Sequence, residues 1–218
     1  MSRITAATSV VMTLLLATWA APALAGPQHF GFGFGYLLTI EQNAAGQSAL
    51  SVYEPPLRVK DCPWLLRWRD TSEQYKTVLP NSLAVGDFWP LTMGGKEYVV
   101  ALTATEGGPP AIMVLDPPEV FSTRPWKVLA QTPLPGWPDG ARVIAAAAGD
   151  VLGAKRDQLV VLVNGTELRV WTPGEKPGQP WTLAAAGAAA DASVDGRARP
   201  GGSTGMTVGD FWGTGQDA

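Results

Sequence analysis

The sequence predicts an all-β protein: a β-propeller of four-stranded blades of about 60 residues each, with about three blades in this chain. A repeated phrase is the first observation. VGDFW stands at 85–89 and at 208–212, and the related AGDVL stands at 148–152. Successive Gly-Asp pairs are about 60 residues apart, and a constant period of this size is the signature of a repeat protein. The pairs are Gly86 and Asp87, Gly149 and Asp150, and Gly209 and Asp210.

A second phrase recurs between the Gly-Asp pairs, in the same order each time. Its copies are LSVYEPP at 50–56, IMVLDPP at 112–118 and LRVWTPG at 168–174. About eight residues after the first proline of each copy comes a Pro-Trp pair, which contributes Trp64, Trp126 and Trp181. A short apolar run precedes each copy: YLLTI at 36–40, EYVVALTA at 97–104 and QLVVLV at 158–163. One unit is therefore predicted to hold a strand ending in Gly-Asp, an apolar strand, an alternating strand and a Trp-led strand.

Length and residue type favour strands over helices throughout the repeat. The runs are short, rich in Val, Leu, Ile, Tyr and Trp, and bounded by Gly, Pro, Asn or Asp. Asn164 and Gly165 tolerate positive φ and predict a two-residue type I′ hairpin turn. The alanine-rich stretch at 182–192 is predicted to be a strand, because Gly187 interrupts it and it stands in the Trp-led position.

Units of this kind favour a propeller over a β-sandwich. A single blade cannot bury both faces of its sheet, so neighbouring blades stack face to face. That stacking explains why the second strand of each unit is apolar throughout, as strands buried on both faces are. A sandwich is the alternative and accounts for the strands, but it gives no reason for a period of roughly 60 residues.

The composition excludes several classes of protein. Hydrophobic residues make up 46% of the chain and charged residues 16%, a balance opposite to that of a disordered chain. The net charge of −3 and the lack of a basic cluster exclude a nucleic-acid partner. Cys62 is the single cysteine and His29 the single histidine, so an internal disulfide and metal sites built from several Cys and His are excluded.

Residues 1–25 have the layout of an export signal. Arg3 and the amino terminus supply positive charge, VVMTLLLATWA supplies the apolar middle, and ALA at 23–25 is a small-x-small cleavage site. We expect cleavage after Ala25, a secreted or periplasmic location, and no stable membrane insertion of the mature chain. An uncleaved membrane anchor is the alternative, since the apolar stretch approaches the length of a membrane span.

The repeat markers divide the mature chain, 26–218, into an incomplete series of units. The predicted units cover approximately 26–81, 82–144 and 145–204, and a fourth begins at 205–218. The first unit lacks its Gly-Asp strand, and the last consists of that strand alone. Because a ring usually needs about four to eight blades, we expect this chain to be the N-terminal part of a longer propeller. Association of short chains into one ring is the alternative.

The Gly-Asp phrases resemble the FG-GAP or VCBS repeats of integrin α-chain-like propellers and of many secreted bacterial proteins. The closest copy is MTVGDFWGTGQDA at 206–218, followed by AAAAGDVLGAKRDQLVVLV at 145–163 and the more divergent LAVGDFWPLTMGGKEYVVAL at 83–102. The resemblance implies a propeller. It also directs attention to calcium, because some loops of that family hold Ca²⁺ through oxygen side chains at the first, third, fifth and ninth loop positions.

Most of those calcium ligands are missing here. The last copy has Asp210, Trp212, Thr214 and Ala218 at the four positions, and the middle copy has Asp150, Leu152, Ala154 and Gln158. Because Ca²⁺ takes about six to eight oxygen ligands, one carboxylate in such a loop does not suffice. We therefore expect no calcium in these loops, and no other cofactor.

The repeated residues are predicted to be structural. Each aspartate of a Gly-Asp pair is expected to accept hydrogen bonds from backbone N–H groups of its own turn. The glycine before it is expected to permit close approach or an unusual φ. The Pro-Trp tryptophans are expected to pack between blades. Trp89 and Trp212 follow the turns in loops open to solvent, which makes them the candidate ligand-binding side chains.

These features predict a non-catalytic function: a secreted binding or scaffold module whose ligand is a glycan or a protein. The alternative is the propeller portion of an extracellular carbohydrate-active enzyme, either a polysaccharide lyase or a hydrolase. No Gly-x-Ser-x-Gly nucleophile motif is present, and no catalytic residue is predicted. Carboxylates such as Asp70 and Asp139 would have to pair in space for glycosidase chemistry, and a solvated loop is the simpler interpretation for each.

Overall fold

The computed structural model describes residues 15–16, 37–42, 48–54, 65–90, 96–117 and 126–188. Within these ranges there is no α-helix, and the β-strands form three four-stranded antiparallel sheets. The all-β prediction is therefore confirmed. The chain divides into two compact units, Met1–Lys76 with one sheet and Thr77–Ala218 with two. None of the three sheets closes on itself within the described residues.

The first unit contains a four-stranded meander followed by one turn of 3-10 helix. Its strands are β1 (Leu15–Leu16), β2 (Leu37–Gln42), β3 (Ser48–Glu54) and β4 (Leu65–Asp70), and the 3-10 turn is Glu73–Tyr75. β3 is buried over most of its length, with Leu50 and Val52 almost inaccessible. β1 pairs with β2 from inside the predicted export signal, whose cleavage stays a prediction.

Asp70 organises the chain as it leaves β4. Its carboxylate accepts hydrogen bonds from the Ser72 backbone N–H at 2.9 Å and from the Tyr75 hydroxyl at 2.8 Å. Tyr75 is fully buried, and this burial, together with the Asp70 carboxylate, raises the pKa of its phenol. The Asp70 oxygens are thus engaged in holding the turn.

The second unit contains two sheets of the same layout. The second sheet comprises β5 (Val78–Gly86), β6 (Tyr98–Thr103), β7 (Ala111–Asp116) and β8 (Lys127–Pro133). The third sheet comprises β9 (Val143–Gly149), β10 (Gln158–Val163), β11 (Glu167–Thr172) and β12 (Thr182–Ala188). Both are meanders in which strands adjacent in sequence are adjacent in the sheet. In both, the first strand ends at the glycine of a Gly-Asp pair.

The core of the second unit lies between the second and third sheets, and β5 packs against β9. β6 and β10 are buried along their whole length. Alternate residues of these two strands enter the shared core: Tyr98, Val100, Leu102, Leu159, Val161 and Val163. Strands buried on both faces are apolar at almost every position, which explains why neither sequence alternates.

Two local predictions concern the third sheet: that the alanine-rich segment is a strand, and that a two-residue turn joins β10 to β11. β12 is a strand despite its alanine content, because its backbone pairs with β11 from Thr182 to Ala188. The β10–β11 turn has positive φ at Asn164 (53°) and Gly165 (76°). However, Val163 pairs with Glu167, so three residues connect the strands and not the two that were predicted.

Several residues singled out in the sequence lie outside the described residues. They are His29, Cys62, Trp64, Gly209, Asp210 and Trp212. The predicted cleavage site and the fourth repeat unit at 205–218 lie outside as well. The roles assigned to them stay predictions.

Gly86, the last residue of β5, lies directly against the third sheet. A Cβ built at this position would be 2.5 Å from Asp157 Oδ2 and 2.9 Å from the Cβ of Ala148. Asp157 is held there because its Oδ2 accepts a hydrogen bond from the Asp87 N–H at 2.7 Å. In return, the Asp157 N–H donates to the Asp87 carbonyl at 3.0 Å. Close approach of the two sheets therefore requires glycine at position 86.

We expect Gly86→Ala to destabilise the second unit by about 1–3 kcal/mol, because the added methyl group pushes Asp157 away from Asp87. Gly187→Ala in β12 is the matched control, since a Cβ there meets no atom within 4 Å. The control is expected to be neutral or mildly stabilising. Urea unfolding followed by tryptophan fluorescence compares the two, and equal stability of both variants would contradict the packing described.

Candidate functional site

Trp89, expected to be exposed, is buried. Its side chain is 3% exposed, and its Nε1–H donates to the Gly174 carbonyl at 2.9 Å. The ring meets Tyr98 and Trp181 edge-on, with centroids 5.2 and 6.1 Å away. Gly174 and Trp181 belong to the segment between β11 and β12, so the third sheet covers the loop that follows β5. Trp89 packs between sheets in this structure, which corrects the expectation that it lies open to a ligand.

The Pro-Trp tryptophans of the described chain are also buried. Trp181 is 2% exposed and meets Phe88 edge-on with centroids 5.4 Å apart, and Trp126 is 3% exposed. Phe88 and Trp89 of the second sheet thus interlock with Trp181 of the third.

Asp150 stabilises its own loop between β9 and β10. Its two carboxylate oxygens accept hydrogen bonds from the backbone N–H groups of Ala154 and Lys155, each at 2.7 Å. Gln158 tightens the same loop, because its Oε1 accepts a hydrogen bond from the Leu152 N–H at 3.0 Å. A carboxylate that bonds nearby backbone N–H groups in this way holds a turn in shape.

Asp87 has different surroundings from Asp150. Its carboxyl group accepts a hydrogen bond from the Trp89 backbone, but its Oδ1 is buried without a hydrogen-bond partner among the described residues. Burial raises the pKa of this carboxyl, and the Trp89 hydrogen bond opposes the rise in part. Glu97, just before β6, is similar, since its Oε2 is also buried without a described partner. Burial raises the pKa of Glu97 to about 7, and the Asp157 and Asp87 carboxylates add to the rise.

Asp87, Glu97 and Asp157 form what we call the acidic cluster. It lies at the end of the second unit where β5 and β9 finish and β6 and β10 begin. Carboxyl groups that share a buried site hold their protons more tightly, because neighbouring negative charges disfavour ionisation. No three or more His, Cys, Asp or Glu side chains in the described ranges, this cluster included, are arranged to hold a metal ion.

A cleft of about 860 Å³ opens at the opposite end of the same strands. Three segments wall it: the start of β5 at Leu79, the β6–β7 loop at 104–110, and the β8–β9 connection at 134–142. β5, β6 and β9 each span the distance between the acidic cluster and this cleft. At about 3.3 Å per residue, roughly 20 Å of sheet therefore separates the two regions.

Prolines and fixed hydrogen bonds make the walls of the cleft rigid. Six of its lining residues are proline: Pro80, Pro109, Pro110, Pro133, Pro135 and Pro138. The Leu134 N–H donates to the Pro110 carbonyl at 2.9 Å and ties two of the walls together. The Ala104 N–H donates to the Thr77 carbonyl at 2.7 Å and ties in the third. Because proline fixes φ, the proline positions lose little conformational entropy when a ligand binds, whereas the glycines of the lining, such as Gly107 and Gly140, restrict the backbone less.

Trp137 supplies the large aromatic surface of the cleft. It stacks on the fully buried Trp171 of β11, with ring centroids 5.9 Å apart and an angle of 23° between the planes. Trp171 Nε1–H donates to the Pro135 carbonyl at 2.9 Å, and Arg169 of the same strand donates to the Gly136 carbonyl. Gly136 has a φ of 68°, which glycine adopts without strain and which turns the chain just before Trp137. The third sheet thus fixes the position of Trp137.

Two charged side chains line the cleft near Trp137 in sequence. Asp139 and Arg142 are exposed, and neither side chain forms a hydrogen bond or ion pair with a described residue. The indole N–H of Trp137 likewise has no partner among the described residues. The backbone beneath is fixed, because the Arg142 N–H donates to Asn164 Oδ1 at 2.9 Å. A ligand in the cleft therefore finds an aromatic face, an unused N–H, a carboxylate and a guanidinium on a rigid frame.

Trp137 was not singled out in the sequence, although a signal was present. It lies in PLPGWPDG at 133–140, and no tryptophan stands at the corresponding place in the connection at 71–77 before β5. Tryptophans that recur at one repeat position, such as Trp181, are needed for packing between sheets. The connection before β5 has the buried Tyr75 instead, whereas Trp137 is only partly buried against the core and also lines the cleft, so it can contact a ligand.

The chain matches no protein-family model, no curated protein and no solved structure. The described ranges contain no helix with the length and hydropathy that a membrane crossing requires. The cleft and the acidic cluster are thus defined by the geometry of the second unit itself.

The acidic cluster predicts a pH dependence of stability. The pKa of Glu97 rises from 4.5 to about 7 on folding, so the native state keeps a proton that the unfolded chain has released between these values. The free energy of unfolding is therefore expected to fall as pH rises from about 4.5 to 7, by up to roughly 3 kcal/mol, and to change little from this source outside that window.

Glu97→Gln is expected to flatten this pH dependence, because the amide is neutral at every pH. Glu106→Gln is the matched control, since Glu106 is exposed in the β6–β7 loop and its loss leaves the acidic cluster intact. Chemical unfolding at a series of pH values from 4 to 8 measures the effect. An unchanged slope in Glu97→Gln would show that Glu97 does not carry the proton.

Proposed function

We propose that this chain is part of a secreted or periplasmic, non-catalytic β-propeller module, of the FG-GAP or VCBS type, that binds a glycan or protein ligand. The binding site is the cleft around Trp137. One observation carries this assignment: Trp137, which stands in no repeated phrase, is partly buried against Trp171 and the core and also lines the cleft, together with two charged side chains without described partners.

The propeller assignment rests on the second and third sheets. Both are four-stranded meanders, their first strands pack against each other, and aromatic side chains after β5 interlock with Trp181 before β12. Blades of a propeller have this strand number and stack face to face in this way. The repeated Gly-Asp phrase ends β5 and β9, which agrees with the resemblance seen in the sequence.

The binding assignment rests on where the cleft lies. Its walls are connections between strands at one end of two packed sheets, the position in which rigid scaffolds usually display binding loops. Its volume of about 860 Å³ falls within the range typical of small-ligand sites. A large, pre-ordered aromatic side chain is the kind of residue that dominates binding energy.

The enzymatic alternative, a polysaccharide lyase or hydrolase, has weaker support. Glycoside hydrolysis needs two carboxyl groups that flank the scissile bond. Asp139 is the one carboxylate among the described residues that line the cleft. The carboxyl groups with raised pKa, Glu97 and Asp87, lie at the other end of the strands, roughly 20 Å away.

Trp137→Ala is expected to weaken ligand binding at least about tenfold, because a fully formed aromatic contact is lost. Leu152→Ala is the matched control: its side chain is 48% exposed and lies in the β9–β10 loop, at the end of the sheets away from the cleft. Arrays printed with oligosaccharides and with extracellular-matrix proteins, probed with both variants and the unmodified chain, measure the effect.

Saturable binding that is lost in Trp137→Ala and kept in Leu152→Ala supports the assignment. Thermal unfolding of Trp137→Ala verifies that the fold survives. Binding that is equal in all three proteins would place the site elsewhere, and release of cleaved product from the array would make the chain an enzyme.

We further propose that the loops after the Gly-Asp pairs work without calcium, and the described β9–β10 loop supports this. Both Asp150 oxygens already accept backbone N–H groups, at 2.7 Å each, and the loop presents Leu152 and Ala154 where ligands would be needed. Addition of EGTA is expected to leave the thermal unfolding midpoint and ligand binding unchanged. A midpoint that falls in EGTA and recovers with CaCl₂ would contradict this.

A further inference from the structure

We infer that the ligand of the Trp137 cleft is a neutral saccharide, an inference that rests on the binding function proposed above. The cleft combines an aromatic face, walls rich in hydrogen-bond acceptors and a balanced pair of charges. The acceptors favour a ligand that donates hydrogen bonds, the aromatic face favours a ring with an apolar side, and the paired charges favour a neutral ligand.

The walls of the cleft favour a ligand that donates hydrogen bonds. Six lining residues are prolines, which have a carbonyl acceptor but no N–H donor. Several other backbone N–H groups of the lining are already used: that of Leu134 bonds the Pro110 carbonyl and that of Ala141 bonds the Pro138 carbonyl, at 2.9 and 3.2 Å. The carbonyls of four of these prolines each accept one hydrogen bond within the chain: Pro109, Pro110, Pro135 and Pro138. Because a carbonyl oxygen has two lone pairs, each can accept a second bond from a ligand. Sugar hydroxyl groups supply such donors.

A proline-rich peptide fits these walls less well. Proline-rich segments in the polyproline II conformation present carbonyl oxygens and few N–H groups, so they are recognised by grooves with aromatic residues and hydrogen-bond donors. In this cleft the described side-chain donors near Trp137 are its own indole N–H and the Arg142 guanidinium. Such a peptide would place its own carbonyl acceptors against the carbonyl acceptors of the wall, and few hydrogen bonds could form between them.

The aromatic face favours a ring with an apolar side. Trp137 lines the cleft and is partly buried, with Trp171 stacked on one side of its indole. The face of an aromatic ring carries partial negative charge, and the C–H groups on one side of a pyranose ring carry partial positive charge, so the two surfaces attract. Hydroxyl groups at the rim of the sugar then reach the surrounding carbonyls.

The charges of the cleft favour a neutral sugar. Asp139 and Arg142 are the charged residues among its lining, they have opposite sign, and neither side chain has a partner among the described residues. The carboxylate of a uronic acid would be attracted by Arg142 and repelled by Asp139. The ammonium group of an amino sugar would be attracted by Asp139 and repelled by Arg142. A neutral polyol can donate to the carboxylate and accept from the guanidinium at once, as charge-assisted hydrogen bonds. The volume of about 860 Å³ admits a short oligosaccharide.

Isothermal titration calorimetry with defined probes tests this. The probes are neutral tetrasaccharides of glucose, galactose, mannose and xylose, an oligogalacturonate, a glucosamine oligomer and a decaproline peptide. We expect at least one neutral tetrasaccharide to bind the full chain, and Trp137→Ala to weaken it at least tenfold. Trp137→Phe is expected to lose less, because it keeps an aromatic face and removes the N–H. Leu152→Ala is expected to bind like the unmodified chain.

The outcomes separate this inference from the function on which it rests. Trp137-dependent binding of decaproline, of the oligogalacturonate or of the glucosamine oligomer in place of the neutral sugars would overturn the neutral-saccharide assignment and keep the binding function. Neutral-sugar binding that persists in Trp137→Ala, with the variant folded by thermal unfolding, would also overturn it. Absence of Trp137-dependent binding to every probe and to the printed arrays would overturn both.

Discussion

The reciprocal hydrogen bonds between Asp87 and Asp157 fix how the second and third sheets meet, and the rest of the second unit depends on that contact. The side chain of Asp157 accepts from the Asp87 N–H, and the backbone of Asp157 donates to the Asp87 carbonyl. The approach is so close that residue 86 must be glycine. Beside this contact, Trp89 reaches the Gly174 carbonyl and closes the interface. The contact has a cost: burial beside it raises the pKa of Glu97 to about 7, and the neighbouring Asp157 and Asp87 carboxylates add to the rise.

Packing contacts hold the second and third sheets together at one end, so the connections at the other end can differ in sequence from one repeat to the next. The acidic cluster and the interlocked aromatic residues occupy the end where the repeated phrases lie, and changes to these buried residues disturb the packing. At the far end of β5, β6 and β9 the connections carry no repeated phrase. The third sheet still holds one of them, because Trp171 and Arg169 bond the carbonyls of Pro135 and Gly136. Trp137 therefore lies outside the repeated phrases and is held in position by its packing against Trp171 and the core, as a binding residue needs to be.

The sequence predicted what depends on local pattern and missed what depends on neighbours far along the chain. Apolar runs such as β10 and the Trp-led β12 were recognisable as strands, because residue type and turn residues decide them. The burial of Trp89 could not be predicted, because it depends on contacts with Gly174 and Trp181 of the segment before β12. In the sequence, a tryptophan that follows a turn looks the same whether its side chain is buried or exposed. Asp157 stands in the repeat copy at 145–163, just before its apolar strand, but the pattern places it only within its own copy, so its pairing with Asp87 of another copy could not be read from spacing. The cleft required knowledge of which connections lie at the same end of the two sheets.

A crystal structure of the full chain soaked with a neutral oligosaccharide tests the central claim most directly, since it shows the sheet contact and the site together. We predict a pyranose ring stacked on Trp137 at about 4 Å, the distance of van der Waals contact, with Asp87 and Asp157 still hydrogen bonded. A sugar bound away from Trp137, or an indole face covered by the chain itself, would contradict the account.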